Sequence, residues 1–375
     1  MAWFNGNAKA PPWTVLTRWP ALWRVVAARG QPMTTEPVAA AAGEPKRYEA
    51  RFYSRAAWDA VHCNLCPHQC AIAPSRAGNC GVRYNRDGKL YTELYNRVGH
   101  LQVVRSSLLP LFHLHPSKPW LQVGMKGCNM RCTFCDTFRW SQLGAARAMP
   151  LTVDQLIGRA LSTSCIGISF GVTEPAVGHE FVSDVFKGAR NVGLRTHLAT
   201  NGEWTEEPFQ EILPLVDAIT FGIKGFDADW MMQVCGGHLQ VVVANVATAM
   251  AMDTHVEVAY LLADSRATWR EELTAYCNWL DSLERYVPTT LIRMVPSFMW
   301  KGAPTRQQSM SEALHYLQSR LPFVYNLGMG DMPGDTRCTS CGRVMIRRIE
   351  DTTIVDTECA EGVCPSCGAD LPFVV

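Results

Sequence analysis

Cys128, Cys132 and Cys135 stand in the run Lys126-Gly-Cys-Asn-Met-Arg-Cys-Thr-Phe-Cys-Asp136, spaced C-x3-C-x2-C. Three soft ligands packed into eight residues oblige the backbone between them to fold as a tight loop around metal. A four-iron, four-sulfur cluster takes four ligands, usually thiolates. Three from the protein leave one iron open, and an open metal position is where chemistry happens. Structural zinc also uses C-x2-C pairs, but it closes its set at four, and this run has no fourth cysteine nearby.

The surrounding chain alternates between two periodicities. A strand at 121–126 leads straight into the cysteine loop. Helix 152–162 then precedes strand 165–170, helix 178–191 precedes strand 194–199, and helix 205–214 precedes strand 217–223. A helix starting near 227 precedes strand 255–262, helix 267–284 precedes strand 290–295, and helix 306–320 closes the series. Six such β-α units predict a parallel sheet with helices outside, curled by right-handed crossovers into an open, partial (β/α)6 barrel. In barrels of this kind chemistry gathers at the C-terminal strand ends. Glu174, Thr200, Asn201, Lys224, Asp264, Ser265 and Ser297 all fall there, although Asp264 and Ser265 serve equally well as helix caps.

Two further cysteine sets flank the barrel. Cys63, Cys66, Cys70 and Cys80 can close a tetrahedral site, and either zinc or an auxiliary iron-sulfur cluster suits them. Asp87-Gly88, just beyond, reads as a hairpin turn, which makes this region a small β module. Cys338, Cys341, Cys364 and Cys367 form two C-x2-C knuckles separated by strand-like sequence, the pattern of a zinc ribbon, with a single rubredoxin-like iron as the rival. Cys359 is spare, and Cys165, Cys235 and Cys277 read as small buried hydrophobes. The expected boundaries are 1–48 for a leader and linker, 49–118 for the N-terminal module, 119–330 for the barrel and 331–375 for the ribbon.

Fifteen cysteines without an export signal point to metal rather than disulfides, and to a cytoplasmic setting. Lys plus Arg number 35 against 34 for Asp plus Glu, so nothing calls for nucleic acid or an acidic lipid surface. No run is long and apolar enough for a membrane span. The leader holds Trp3, Trp13, Trp19 and Trp23 among Lys9, Arg18, Arg24 and Arg29, but Pro11, Pro12 and Pro20 interrupt any long helix. It reads as a mobile extension, with membrane-surface or partner binding as the alternative.

The C-x3-C-x2-C spacing resembles that of the radical S-adenosylmethionine (SAM) enzymes. The resemblance extends through Cys63-Asn-Leu-Cys-Pro-His-Gln-Cys70, Gly78-Asn-Cys-Gly-Val-Arg83, Thr173-Glu-Pro175, Thr200-Asn-Gly202, Lys224-Gly-Phe226, Val324-Tyr325 and the terminal cysteine pairs. In that order these pieces resemble the AmmeMemoRadiSam-system radical SAM enzymes, relatives of the pyruvate formate-lyase-activating enzymes. The resemblance implies a [4Fe-4S] cluster on Cys128, Cys132 and Cys135 whose open iron holds SAM, with Phe134 near adenine. It places Glu174 at the SAM amino group, and Thr200, Asn201 and Lys224 near the ribose and carboxylate. It further implies reductive SAM cleavage, hydrogen abstraction from an unassigned substrate such as a protein or peptide, and an electron donor such as flavodoxin or ferredoxin. Memo-like and AMMECR-like partners are implied only in this way. The alternatives are a glycyl-radical activase and, from another class, a non-catalytic metal or electron-transfer protein. Activases commonly carry aspartates where this chain has Ala199 and Gly222.

Overall fold

The structure is a computed structural model and describes residues 48–144, 148–283, 285–329, 333–349, 352–356 and 362–371. The tryptophan-rich leader and Cys359 lie outside the described residues. The main sheet has eight strands laid side by side in chain order: β1 (His100–Arg105), β2 (Pro119–Gly124), β3 (Gly167–Phe170), β4 (Arg195–Thr200), β5 (Ala218–Ile223), β6 (His255–Leu262), β7 (Thr289–Arg293) and β8 (Val324–Leu327). From β2 to β8 every pairing is parallel, while β1 is antiparallel to β2. This mostly parallel sheet is the α/β architecture expected from the alternating strands and helices.

The six expected β-α units are present, and β8 follows them as a seventh parallel strand. The helices are α1 (Val153–Ser162), α2 (His179–Asn191), α3 (Glu206–Ile212), α4 (Leu239–Ala251), α5 (Trp269–Asp281) and α6 (Gln307–Arg320). α1 starts where the sequence dictates: Thr152 accepts from the Gln155 amide, and the Gln155 side chain answers the Thr152 amide. Its apolar face buries Leu156, Ile157 and Ala160. Phe170, Phe181, Phe186, Phe209 and Phe221 pack fully buried between sheet and helices, each contributing about 1.5–3 kcal/mol by leaving water. Among the described residues no single helix is long and apolar enough to cross a membrane.

The opposite face of the strands carries a polar row near their N-terminal halves. His197 on β4 shares hydrogens with Ser169 of β3 at 2.8 Å and Thr220 of β5 at 3.0 Å. Glu257 on β6, paired in register with Thr220, accepts the amides of Phe112 and His113 at 2.8–2.9 Å. The connection between β1 and β2 therefore covers this end of the sheet. The Tyr325 hydroxyl on β8 bonds His113 at 2.6 Å and Thr336 at 2.7 Å. Arg348 donates to the Phe112 carbonyl at 3.1 Å and lies over the Phe112 and Tyr325 rings.

The Asp87-Gly88 turn joins Arg83–Arg86 to Lys89–Thr92 with φ of +54° and +71°, the left-handed pair that a two-residue hairpin requires. Within the stretch assigned to the N-terminal module, residues 100–105 join the main sheet as β1. Sequence patterning did not single out this strand, because its side chains are mostly half-exposed and show no clean apolar alternation.

Candidate active site

The loop between β2 and the short helix Phe138–Ser141 carries Cys128, Cys132 and Cys135. Gly127 opens it at φ +83°, and a side chain there would meet Val82 at 2.7 Å and the Cys80 carbonyl at 2.9 Å. Both the conformation and the close approach demand glycine. A π-helical turn, Met231–Cys235, follows β5 and ends at Gly236 in the left-handed region. Its carbonyls receive the loop amides: Arg131 to Cys235 at 2.6 Å and Thr133 to Val234 at 3.0 Å. The Met299 amide bonds the Thr133 carbonyl at 2.8 Å from the far side. The loop is thus held by main-chain bonds from two strand ends.

Polar donors surround the three sulfurs. Asn201 Nδ2 lies 3.7 Å from Cys128 Sγ, and the Ser141 and Thr137 hydroxyls lie 3.1 and 3.5 Å from Cys135 Sγ. Burial pushes the Cys128 thiol well up, with the Glu174 charge adding to it. Cys132 is held below its ordinary value by a hydrogen bond from Cys235 and by the Lys224 charge. A soft donor set on a short loop, with hydroxyl and amide donors to the sulfurs, fits a [4Fe-4S] cluster bound by Cys128, Cys132 and Cys135.

Glu174, Thr200, Asn201 and Lys224 converge beside this loop at the ends of β3, β4 and β5. The Glu174 carboxylate accepts from Ala176 N at 2.9 Å, Thr200 Oγ1 at 2.7 Å and Asn201 N at 2.7 Å. Burial raises its pKa to about 7 against these bonds. Much of its accepting capacity is therefore spent on the protein itself. Among the described residues no carboxylate lies within ion-pair distance of Lys224. At Gly222 a side chain would meet the Lys224 ammonium at 3.0 Å. With glycine there, that charge stays open to a ligand.

Phe134 is buried, stacked on Trp230 at 5.8 Å and edge-on to Trp300 at 6.1 Å. Arg266 lies 4.2 Å over Trp230. Val172, two residues before Glu174, holds φ of +66°, a costly conformation for a β-branched residue and one that clusters at working sites. Asp264 accepts from the Arg306 amide and Ser309 hydroxyl, which fixes the start of α6. Its role here is the capping one.

Sequence reasoning missed Asn129, Glu203, Trp230, Cys235, Arg266 and Trp300. Buried Asn129 ties the loop to the Glu203 carbonyl at 2.7 Å and receives Asn201 Nδ2 at 2.8 Å. Its place inside the C-x3-C spacing was the available signal. Cys235 is buried as expected, but against Cys132, a pairing no local pattern announces.

The accessory sets differ from each other. Cys338 Sγ lies 3.6 Å from Cys367 Sγ, and Cys341 Sγ 3.6 Å from Cys364 Sγ. All four lie within 4.8 Å of one another, the only such group among the described residues. Four thiolates about 2.3 Å from one ion sit about 3.8 Å apart, so this group fits a single tetrahedral metal. Cys63, Cys66, Cys70 and Cys80 also converge: Cys63 N bonds the Cys70 carbonyl at 3.0 Å, and Asn79 N donates to Cys70 Sγ at 3.3 Å. Burial and the other three thiols push Cys66 up to about 12.

The radical SAM superfamily profile matches residues 123–262, which span the cysteine loop and β3 to β6. An uncharacterized protein of Methanocaldococcus jannaschii is 30% identical over 337 residues, 87% of this chain and 99% of its own. The pyruvate formate-lyase-activating enzyme of Clostridium pasteurianum is 28% identical over 123 residues, 30% of this chain and 49% of that enzyme. Among solved structures, a radical SAM methyltransferase from Sphaerobacter thermophilus aligns with a TM-score of 0.45 and 13% identity, covering 57% of this chain and 67% of its own. The chain belongs to the radical SAM superfamily and is a radical SAM enzyme.

Proposed function

We propose that this radical SAM enzyme abstracts hydrogen from a protein or peptide and belongs with the AmmeMemoRadiSam-system enzymes. When bound, the [4Fe-4S] cluster supplies the electron that cleaves SAM to methionine and a 5′-deoxyadenosyl radical. The protein's own part is to bind and orient SAM. The observation that carries this reading is the reach of Asn201, whose amide nitrogen donates to Glu174 at 2.7 Å while its side chain touches Cys128 Sγ at 3.7 Å. SAM's methionine end would sit where these groups and Lys224 meet, with Lys224 on the carboxylate, Glu174 on the ammonium, and Thr200 and Asn201 beside them. Phe134, backed by its tryptophans, would pack near adenine. Met232, beyond β5, and Val295 and Met299, beyond β7, are exposed and offer apolar side chains to a peptide.

The C-terminal four cysteines hold zinc in this reading, and the N-terminal four hold a second metal centre. None of the fourteen described cysteines is in a disulfide, which suits a reducing, cytoplasmic setting. A flavodoxin or ferredoxin supplies electrons, and Memo-like and AMMECR-like proteins are the partners to test first. The glycyl-radical activase reading is weaker, because Ala199 and Gly222 leave no acid beside Lys224.

The test is anaerobic. Protein with about four irons at the Cys128 site should change its reduced EPR signal when SAM is added. Lys224→Met should weaken SAM binding about 10- to 150-fold with an unchanged melting temperature. Glu174→Gln should lower both affinity and melting temperature, because its carboxylate also ties β3 to β4. An EPR signal indifferent to SAM would end the proposal.

A further inference from the structure

The N-terminal cysteine set abuts the radical SAM loop. Asn79 sits between the strand turn that holds Cys70 and the next ligand candidate, Cys80. Its side chain donates to the Asn129 carbonyl at 3.0 Å. The Cys80 carbonyl and Val82 press on Gly127, the residue before Cys128. Two buried nitrogens at this set lack partners: Arg83 Nε and His68 Nε2. Arg83 is 1% exposed, its guanidinium feels the Cys63 and Cys80 thiols, and its Nη1 pairs with Glu180 at 2.9 Å. His68 lies between Cys66 and Cys70 and packs edge-on to His238 at 5.5 Å, whose own Nδ1 bonds Glu203 at 2.9 Å.

A structural zinc needs four sulfurs drawn around one ion, as at the C-terminus. The N-terminal four are not so gathered, and neither are Cys128, Cys132 and Cys135. In a polynuclear cluster each thiolate binds a different iron, so the sulfurs stand further apart. A buried cation close to a cluster helps set its reduction potential, and Arg83 opens the strand that follows Cys80. A closed zinc site has no use for that tuning.

We propose that Cys63, Cys66, Cys70 and Cys80 hold an iron-sulfur cluster that passes electrons to the Cys128 site across the Cys80–Gly127 and Asn79–Asn129 contacts. The N-terminal centre gives up one electron and the Cys128 site receives it. A one-electron donor of the flavodoxin or ferredoxin class then restores the first centre. Arg83 favours the reduced, more negative state and so raises the potential of the N-terminal centre. This inference rests on the radical SAM reading of the Cys128 site.

Metal analysis of the full chain, prepared without oxygen, should find about eight irons and zinc only at the C-terminal set. Cys63→Ser with Cys66→Ser should leave about four irons, with zinc unchanged. In reduced wild-type protein the Cys128-site EPR signal should be broadened by the second paramagnet, and it should sharpen in that variant. The SAM-dependent change should persist in both; its loss in both, with the wild-type broadening kept, would sink the radical SAM reading while leaving the two-cluster assignment intact. If the cysteine variant does not fold, Arg83→Met alone removes the cation while keeping the sulfurs. The N-terminal centre should then titrate at a more negative potential. Zinc in the N-terminal set overturns the proposal. So do two clusters whose EPR signals show no mutual broadening, and an unshifted potential in the Arg83 variant overturns the tuning role.

Discussion

The two four-cysteine regions use the same ligands to opposite ends. The C-terminal set hangs on two knuckles of a three-stranded ribbon, with Cys341 and Cys367 exposed and its four sulfurs drawn together. Its charged neighbour, Arg343, meets Asp356 at 2.7 Å near the surface. The N-terminal set is more deeply buried, spread wider, and faced by Arg83, whose ion pair with Glu180 is about 1% exposed on both sides. The first arrangement closes on its own four ligands, while its strands dock on the barrel through Thr336 and Arg348. The second is woven into the barrel through α2 and the radical SAM loop. Ligand type alone therefore says little about role; spacing between sulfurs and the company they keep say more.

The contrast can be broken most forcefully at the ribbon. Structural zinc in small four-ligand folds contributes about 10–16 kcal/mol. Cys364→Ser should therefore release the C-terminal metal and abolish amide-exchange protection in the three ribbon strands, while iron content stays the same. Retained protection would show that the ribbon's small core of Cys338, Met345, Ile346, Cys364 and Leu371 suffices without metal.

A second comparison sets the two ion pairs against each other. Arg83→Met leaves Glu180 buried and uncompensated apart from the Arg51 amide at 2.7 Å, and should cost about 3–5 kcal/mol. Arg343→Met should cost about 1 kcal/mol or less, because that pair is partly solvated. Denaturant melts of both variants test this, and equal losses would erase the distinction between the buried ion pair and the partly solvated one.

The smallest effect separates both regions from the barrel itself. Burial depresses the His197 pKa from 6.5 to about 3. The unfolded chain then binds more protons between those values, so the stability due to neutral His197 is complete above pH 6.5 and drains away as pH falls toward 3. His197→Gln should flatten that part of the stability-pH curve. Ribbon metal should be lost in acid in both proteins, because the thiolates that hold it must stay deprotonated. An unchanged slope in the variant would place the acid sensitivity elsewhere.

Much of this molecule was readable before its structure. Helix and strand periodicity located all six β-α units, with ends off by a few residues except in the fourth, whose main helix begins at Leu239 rather than near 227, and Asp87-Gly88 gave the hairpin. The three-cysteine spacing and the strand-end rule brought Glu174, Thr200, Asn201 and Lys224 to one place. What stayed hidden depends on contacts between distant residues. β1 is an edge strand whose side chains are mostly half-exposed, so its place beside β2 has no local signature. The π turn at Met231–Cys235 is defined by which amides its carbonyls receive, and those come from the cysteine loop. Glu174 looked like a ligand-binding acid, whereas three hydrogen bonds also make it a strut between β3 and β4. Spacing shows that four cysteines can meet, but the distance at which they stop requires the packing of everything around them.

The Arg348 contact has a consequence for how the chain is made. Synthesis runs from the N-terminus, and domains tend to fold as they emerge. Here the Phe112 carbonyl and the Tyr325 hydroxyl, which belong to the floor of the barrel, find their partners in Arg348 and Thr336. The floor is therefore completed by a residue made 236 positions after Phe112. Until then a nascent chain carries the whole cysteine loop on a barrel whose base is unsealed, and a truncated product is marked as unfinished by the surface it leaves open.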